Sequence, residues 1–186
     1  MLPPADNQKA NDTTIQHPLD GFSYVLVPAE CYNEKNKAQY LDYLGIKDEN
    51  CVVCADYISE ADIYNVYLKP KSETGDYRHP TSVLLANLIK ENLERTDDPR
   101  VYLNIKDQCF EMMVLKGANL LFSNYFRFKT KEDFLYFLLF AMDQLHLDAE
   151  SVPIYFLGMI TEDSKIVELT KRYVRDVRFK RDITCE

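Results

Sequence analysis

The stretch VYLNIKDQCFEMMVLKGANLLFSNYFRF, residues 101–128, decides the fold of this chain. β-Branched and aromatic side chains fill it in three runs, which predict strands over residues 101–105, 109–115 and 120–128. Only the short turn KGAN separates the second run from the third, and so short a connection joins antiparallel neighbours. The sequence therefore predicts an antiparallel meander of three strands.

The segment that follows the meander predicts alternating helices and strands. Thr130 with Asp133 three residues later is typical of a capping box, and the apolar run 134–142 predicts a largely buried helix. The elements predicted after this helix are a strand over 153–157, a helix capped by Thr161 and a strand over 177–179.

The residues before the meander predict a further α/β unit. Its expected elements are strands over 22–27, 51–55 and 62–68 and helices over 33–44 and 81–94. Gly45 stands where a left-handed cap would end the first helix, and Pro80 stands where a first helical turn accepts a proline. The stretch RTDDP at 95–99 ends the second helix and predicts a boundary between the two halves of the chain. The predicted division is a disordered polar arm over 1–20, a first unit over 21–98 and a second over 99–186.

Composition narrows the possible partners and the compartment. The 186 residues carry a formal net charge of -8, which disfavours nucleic acid and anionic membranes because both attract basic surfaces. The longest apolar run, 134–142, is less than half of the ~20 residues that cross a bilayer, so we expect no membrane span. Five cysteines without framework spacing predict reduced thiols and a cytoplasmic protein.

No redox or metal site is predicted from the cysteines and histidines. Cys51 and Cys54 have the spacing of a redox pair, but the run CVVCA is typical of a buried strand. A redox cysteine of this spacing normally begins a helix, where the helix dipole lowers the pKa of the thiol. The histidines His17, His79 and His146 are scattered, so we expect no zinc ligands.

Four stretches resemble one family of proteins. They are GFSYVLVPAE at 21–30, the segment 116–128 with its NYF, TKEDFLYF at 130–137, and the pair Leu157-Gly158. The resemblance covers roughly residues 21–179 and is to uncharacterised proteins of anaerobic gut and oral bacteria that are described as having an actin-like ATPase fold. A meander followed by alternating helices and parallel strands is also the pattern of ribonuclease-H-like domains, of which actin-like proteins carry two.

The resemblance implies a two-lobed α/β protein with mixed sheets flanked by helices. The first lobe, 21–98, would open with strands before Gly21, but residues 1–20 are too polar to supply them. We therefore expect an incomplete first lobe, in a chain that is a shortened relative or has a misassigned start.

The resemblance also implies a nucleotide site whose phosphate-binding residues are altered here. In actin-like ATPases, hairpin turns grip the phosphates with an Asp, which holds magnesium through water, and a Gly, which lets backbone N–H groups approach. Asn104 stands at the expected carboxylate position of the second-lobe hairpin, and Lys106 stands at the expected glycine position. Asp107 and Lys106 could replace them as metal and phosphate partners, although an Asp-Lys turn is typical of ordinary solvated turns.

The adenosine-binding turn is altered as well. Such turns carry two glycines between a strand and a helix, whereas Gly158 is followed here by Met159. A single glycine is common in any strand-to-helix connection, and no first-lobe phosphate hairpin is found. A ribonuclease-H nuclease would need clustered acids, but Glu111 is interpreted as part of a solvated strand face and Asp133 as a helix cap.

The leading hypothesis from the sequence is a degenerate actin-like module that binds another protein and has no catalytic, cofactor-binding or metal-binding residues. Binding would use the cleft or an exposed sheet edge, with contact surface from Tyr64, Tyr67, Tyr77 and Tyr125, although most of these rings would also suit lobe packing. The alternative is a magnesium-ATP-binding protein or weak ATPase. A third reading is an incomplete gene product, and the oligomeric state stays open.

Overall fold

A computed structural model of the chain describes residues 23–93 and 98–180. The predicted arm over 1–20, most of the predicted boundary at 95–99, and Cys185 lie outside the described residues. The division into units over 21–98 and 99–186 therefore stays a prediction. Within the described residues the chain forms two sheets flanked by helices, so the predicted α/β class is confirmed.

The first sheet is antiparallel and has the spatial order β1-β3-β2. Its strands are β1 (Tyr24–Pro28), β2 (Cys51–Ile58) and β3 (Ile63–Pro70). The helix predicted over 33–44 is shorter, because Asn33 caps a separate 3-10 turn at Glu34–Asn36 and α1 covers only Lys37–Asp42. Gly45 ends this helix with φ +68°, as predicted, since left-handed backbone suits glycine.

Helix α2 (Pro80–Asn92) connects the two sheets and confirms the helix predicted over 81–94 to within two residues. Pro80 occupies the first turn, where its missing N–H costs nothing. The ring of His79 caps the helix, because its Nδ1 accepts from the N–H of Thr81 at 3.2 Å.

The second sheet has five strands in the order β6-β5-β4-β7-β8. They are β4 (Pro99–Lys106), β5 (Cys109–Lys116), β6 (Asn119–Arg127), β7 (Ile154–Gly158) and β8 (Val177–Phe179). The first three form the predicted antiparallel meander, and β7 and β8 are added in parallel beside β4. The predicted order of strands is thereby confirmed.

Helices α3 (Lys131–Gln144) and α4 (Lys165–Thr170) make the two crossovers between the parallel strands. The capping box of Thr130 and Asp133 is present at the start of α3, as predicted. The cap predicted at Thr161 is wrong: Ser164 caps α4 instead. The carbonyl of Thr161 accepts from the N–H of Ser164 at 3.1 Å, so the chain makes a turn before the helix begins.

The second sheet is covered on both faces. Alternate side chains of β4 and β5, such as Leu103 and Met112, pack against α3 and α4. The residues between them, such as Tyr102 and Met113, pack against α2. Because α2 also contacts Ile58 of β2, one helix joins the two sheets. Among the described helices, none has the length and apolar character needed to cross a bilayer.

Candidate functional site

A cavity of about 500 Å³ opens where β4 and β7 end and α2 begins. Asn104, Lys106 and Gly158, three positions that the sequence assigned to an altered nucleotide site, all line it. The other residues around it are Pro80, Leu84, Ile105, Phe156, Leu157, Met159, Ile160, Phe179 and Lys180. None of the described residues that line this cleft cavity is acidic.

Gly158 is held against the end of β4 by close backbone contact. A Cβ atom at this position would lie 2.3 Å from the carbonyl oxygen of Ile105 and 2.6 Å from Oδ1 of Asn104. The backbone at Gly158 also has φ +79°, which side chains rarely adopt. The packing of the chain on itself therefore accounts for glycine at this position.

The backbone donors of the same turn are used within the chain. The N–H of Met159 donates to the carbonyl of Ile105 at 2.8 Å, and the N–H of Ile160 donates to the carbonyl of Gly158 at 3.0 Å. A phosphate group is held by backbone N–H groups that point at it. These two N–H groups already have partners, so they do not form such a cradle.

Asp107 does not share the cleft cavity with Lys106. The β4–β5 turn places Asp107 beside a separate cavity of about 630 Å³, together with Gln108, Arg127 and Lys129. The proposed replacement of a lost magnesium partner by Asp107 requires it to face the same ligand as Lys106. The structure instead divides the two neighbours between different cavities.

Glu111 is fully buried, so its interpretation as part of a solvated strand face is wrong. It faces α2, pairs in register with Asn104 on β4, and accepts a hydrogen bond from the hydroxyl of Tyr24 on β1. The side-chain amide of Asn104 donates to its other oxygen at 3.4 Å. Burial raises the pKa of Glu111, while Tyr24, Lys106 and Asn104 act in the opposite direction.

His79 is also buried, and its ring lies 5.2 Å from the ring of Tyr24, which donates to Glu111. Burial lowers the pKa of His79 to about 3, and the nearby charge of Lys106 adds to the effect. The backbone N–H of His79 donates to Asp56 at 2.8 Å, and Asn65 Nδ2 lies 3.2 Å from its Nδ1. Asn65 also donates to Ser82 at 2.9 Å. A polar cluster therefore fills the junction of the two sheets beside the cleft cavity.

This polar cluster was not predicted, although the sequence contains two signals for it. Glu111 interrupts the apolar run of β5, and a strand that is apolar at successive positions is covered on both faces. Asn65 likewise interrupts the run of β3. A polar residue inside a doubly covered strand has to be hydrogen-bonded within the fold.

The tyrosines expected to offer contact surface lie in different surroundings. Tyr67 is only 1% exposed, so its expected role in a contact surface is wrong. Tyr77 and Tyr125 are partly buried and pack against the cluster that Tyr67 forms with Tyr24 and Cys109. Tyr64 instead stacks on Tyr32, with ring centroids 3.7 Å apart and planes 11° apart.

Metal and disulfide chemistry find no support in the described chain. Within residues 23–93 and 98–180, no group of three or more His, Cys, Asp and Glu side chains is placed to hold a metal ion. Cys51 and Cys54 lie on β2, as predicted, and both are free thiols.

The overall arrangement matches a solved structure. A protein from Bacteroides thetaiotaomicron, described as having an actin-like ATPase fold and unknown function, superposes with a TM-score of 0.76 at 15% sequence identity. The match covers 86% of this chain and 65% of the Bacteroides chain, so this chain spans less than two thirds of that protein's length. The fold of the described residues is therefore the actin-like ATPase fold.

Residues 14–177 match the model of DUF3822, a family of proteins of unknown function. The match extends over most of the sequence, so the chain belongs to this family. The comparison with curated proteins found no match. The resemblance drawn from the sequence is thus confirmed for both family and fold.

The fold implies a magnesium-nucleotide site, but the residues of the cleft cavity do not fit one. The described residues of the wall offer no carboxylate for a hydrated magnesium ion, and the two N–H groups after Gly158 are already bonded. Glu111 lies beneath Asn104 with Tyr24 bonded to it, away from the cavity wall. Lys106 is the one described cavity residue placed to meet a phosphate at the β4 end.

We expect Gly158→Ala to destabilise the chain far more than Gly45→Ala. Both glycines have left-handed backbone, which costs other residues ~1 to 2 kcal/mol, but a Cβ at Gly45 meets nothing within 4 Å. The clash with the Ile105 carbonyl should add at least ~1 kcal/mol to the Gly158 variant. Urea unfolding of both variants measures the difference, and equal losses would mean that the close contact is absent.

Glu111→Gln should change how stability depends on pH. The folded pKa of Glu111 lies above its unfolded value, so this group stabilises the fold below about pH 4.5 and loses that contribution as pH rises through the folded pKa. Relative to the wild type, Glu111→Gln should therefore lose stability on acidification from pH 7 to pH 5, by at most ~1.4 kcal/mol per pH unit.

In the same experiment, His79→Asn should change the pH dependence of stability in the opposite direction. The depressed pKa of His79 provides stability above its unfolded value near 6.5, and that stability is lost as pH falls toward 3. Asparagine keeps a capping side chain but does not titrate. On acidification from pH 7, the variant should therefore lose less stability than the wild type loses. Parallel pH dependences for the wild type and both variants would contradict these assignments.

Proposed function

We propose that this chain is an actin-like module that acts by binding another protein and not by catalysis. The observation that carries the proposal is a stack of tyrosine rings on the face of the first sheet that packs against α1. Tyr64 lies at its centre, between Tyr32 and Tyr57, and Tyr40 extends it beyond Tyr32 at 6.0 Å. We call these four rings the tyrosine stack.

The tyrosine stack reaches an exposed sheet edge. Tyr57 is 47% exposed and lies on β2, which is an edge strand of the first sheet. In register, it stands beside Tyr64 of β3. An edge strand offers unpaired backbone groups, and tyrosine rings beside it offer apolar contact with a polar end.

The rings are also held in place before any partner arrives. The hydroxyl of Tyr57 donates to Asp62 at 2.8 Å, and the hydroxyl of Tyr32 donates to Glu34. Tyr40 accepts from the backbone of Asn33 at 2.9 Å. Side chains that are already ordered lose less entropy on binding, which favours affinity.

The altered cleft supports a binding role over a catalytic one. Its wall lacks an acid, and its turn donors are bonded to the chain itself. The proposed compartment is the cytoplasm, because the described cysteines Cys31, Cys51, Cys54 and Cys109 are all free.

Substitution of Tyr57 tests the proposed surface. The immobilised wild-type chain, Tyr57→Ala and Tyr57→Phe would capture proteins from a native lysate, and each captured protein would then be purified and titrated. We expect Tyr57→Ala to weaken a true partner about tenfold or more, because exposed tyrosines often dominate interfaces. Tyr57→Phe keeps the ring and should retain most of the affinity.

Phe140→Ala is the matched control, because Phe140 is an equally exposed aromatic residue on α3. A partner that binds this control and the wild type alike, but not Tyr57→Ala, supports the tyrosine stack. The proposal fails if no captured protein distinguishes Tyr57→Ala from the wild type.

Nucleotide binding is the second candidate function, because Asn104, Lys106 and Gly158 do line one cavity. A ligand that binds only the folded state at a hundred times its dissociation constant stabilises by ~2.7 kcal/mol. That gain would raise Tm by a few degrees in a chain of this size.

We expect no rise in Tm with millimolar magnesium-ATP beyond the rise with magnesium alone. Thermal unfolding measures this change in Tm, with magnesium-ADP and magnesium alone as controls. A rise in Tm that is specific to nucleotide, and that Lys106→Met abolishes, would establish nucleotide binding. It would also remove the altered cleft as an argument against catalysis.

A further inference from the structure

We infer that the cleft cavity binds a small organic carboxylate with an apolar body, without a metal ion. The cavity, defined above by its position at the ends of β4 and β7, has a polar end and an apolar wall. This arrangement fits a ligand with one anionic head and a hydrocarbon or aromatic tail.

The size of the cavity and its apolar wall determine which kind of ligand body fits. About 500 Å³ falls within the range of small-molecule sites, which is ~300 to 1,000 Å³. Leu84 of α2, Phe156 of β7 and Phe179 of β8 supply apolar wall, and Ile160 closes one side. Polyphosphate and ribose groups would not cover the apolar surface that these side chains present to the cavity, whereas a hydrocarbon tail would cover it.

The charged side chains of the cavity determine which kind of ligand head group fits. Lys106 ends β4 and Lys180 follows β8, and these strands lie on the two sides of β7. The ammonium group of Lys180 is bound to Glu91, so its stem forms wall while its charge is partly compensated. Lys106 lines the cavity as well, and its ammonium group has three donors, one of which a carboxylate head would use.

The amide of Asn104 lies at the polar end beside Lys106. Its oxygen faces Gly158 and its nitrogen faces Glu111, so it holds a fixed orientation at the polar end. A carboxylate needs only a few donors, whereas a triphosphate needs a metal and several backbone N–H groups. Because none of the lining residues within 23–93 and 98–180 is acidic, a metal-free anion is the head that they match.

A tryptophan reporter tests the inference directly, because the chain contains no tryptophan. Met159 is 79% exposed at the cavity wall, so Met159→Trp places a single fluorophore there with little change to the core. Octanoate is the probe, and octylammonium and octanol are its cationic and neutral counterparts. We expect saturable change of emission with octanoate at concentrations at least tenfold lower than with either counterpart.

Two variants locate the head group. In the Met159→Trp background, Lys106→Met removes the charge while keeping a similar apolar stem, and it should weaken octanoate about tenfold or more. Lys129→Met is the matched control, because Lys129 lines the separate cavity beside Asp107 and should leave octanoate binding unchanged. Calorimetric titration of the wild-type chain with octanoate checks that the reporter itself does not create the site.

A second reporter separates this site from general surfactant binding. Tyr136→Trp places tryptophan in the exposed groove between α3 and α4, which has no lysine in its wall. Equal responses of the two reporters, or equal responses to octanoate and octylammonium, would overturn the inference. So would no octanoate response in both calorimetry and fluorescence, or a response to magnesium-ATP alone. The test is independent of the tyrosine stack, since Tyr57→Ala leaves this cavity intact.

Discussion

The burial of α2 between the two sheets is the constraint on which the rest of this structure depends. Eight of its thirteen residues are buried, and its leucines face the second sheet while Ile58 of β2 reaches the same cluster. Each large apolar side chain buried in this way contributes ~1.5 to 3 kcal/mol. A helix packed so closely on both sides fixes the position of one sheet relative to the other.

This packing forces polar chemistry into the interior. The start of α2 brings His79 and Ser82 against Asn65, and the same face of the second sheet presents Glu111. Buried polar groups cost free energy unless they find partners, and most members of the cluster do. Among the described residues, Oδ1 of Asn65 and Oγ1 of Thr81 are buried without a hydrogen-bond partner, so the cluster is only partly satisfied. Partial satisfaction inside a junction keeps its stability sensitive to protonation.

Local sequence patterns were enough for the strands and most helices. The meander over 101–128 was predictable because its turns and its alternation are local features. The start of α4 was not predictable from the local sequence, because Thr161 and Ser164 are equally good caps. Only the turn between them decides which one begins the helix. Helix 33–44 was overestimated, since Asn33 favours a cap over a helix interior.

The candidate site was predictable by position but not by environment. The resemblance to actin-like ATPases implied one site for Asn104, Lys106 and Gly158, and the parallel pairing of β4 with β7 brings them to one edge of the sheet. The burial of Glu111 was not predictable from β5 alone. It follows from the docking of α2, which is a contact between residues distant in sequence.

The altered residues of the cleft are physically consistent with one another. Glu111 stands directly beside position 104 in the β4–β5 register. An aspartate at 104 would place two carboxylates side by side in a buried junction, where like charges repel strongly, whereas the amide of Asn104 donates to Glu111 instead. Lys106 then faces both the cavity and this carboxyl group, and it offsets part of the negative charge. The amide at position 104 and the lysine at position 106 are thus two parts of one electrostatic arrangement around the buried Glu111.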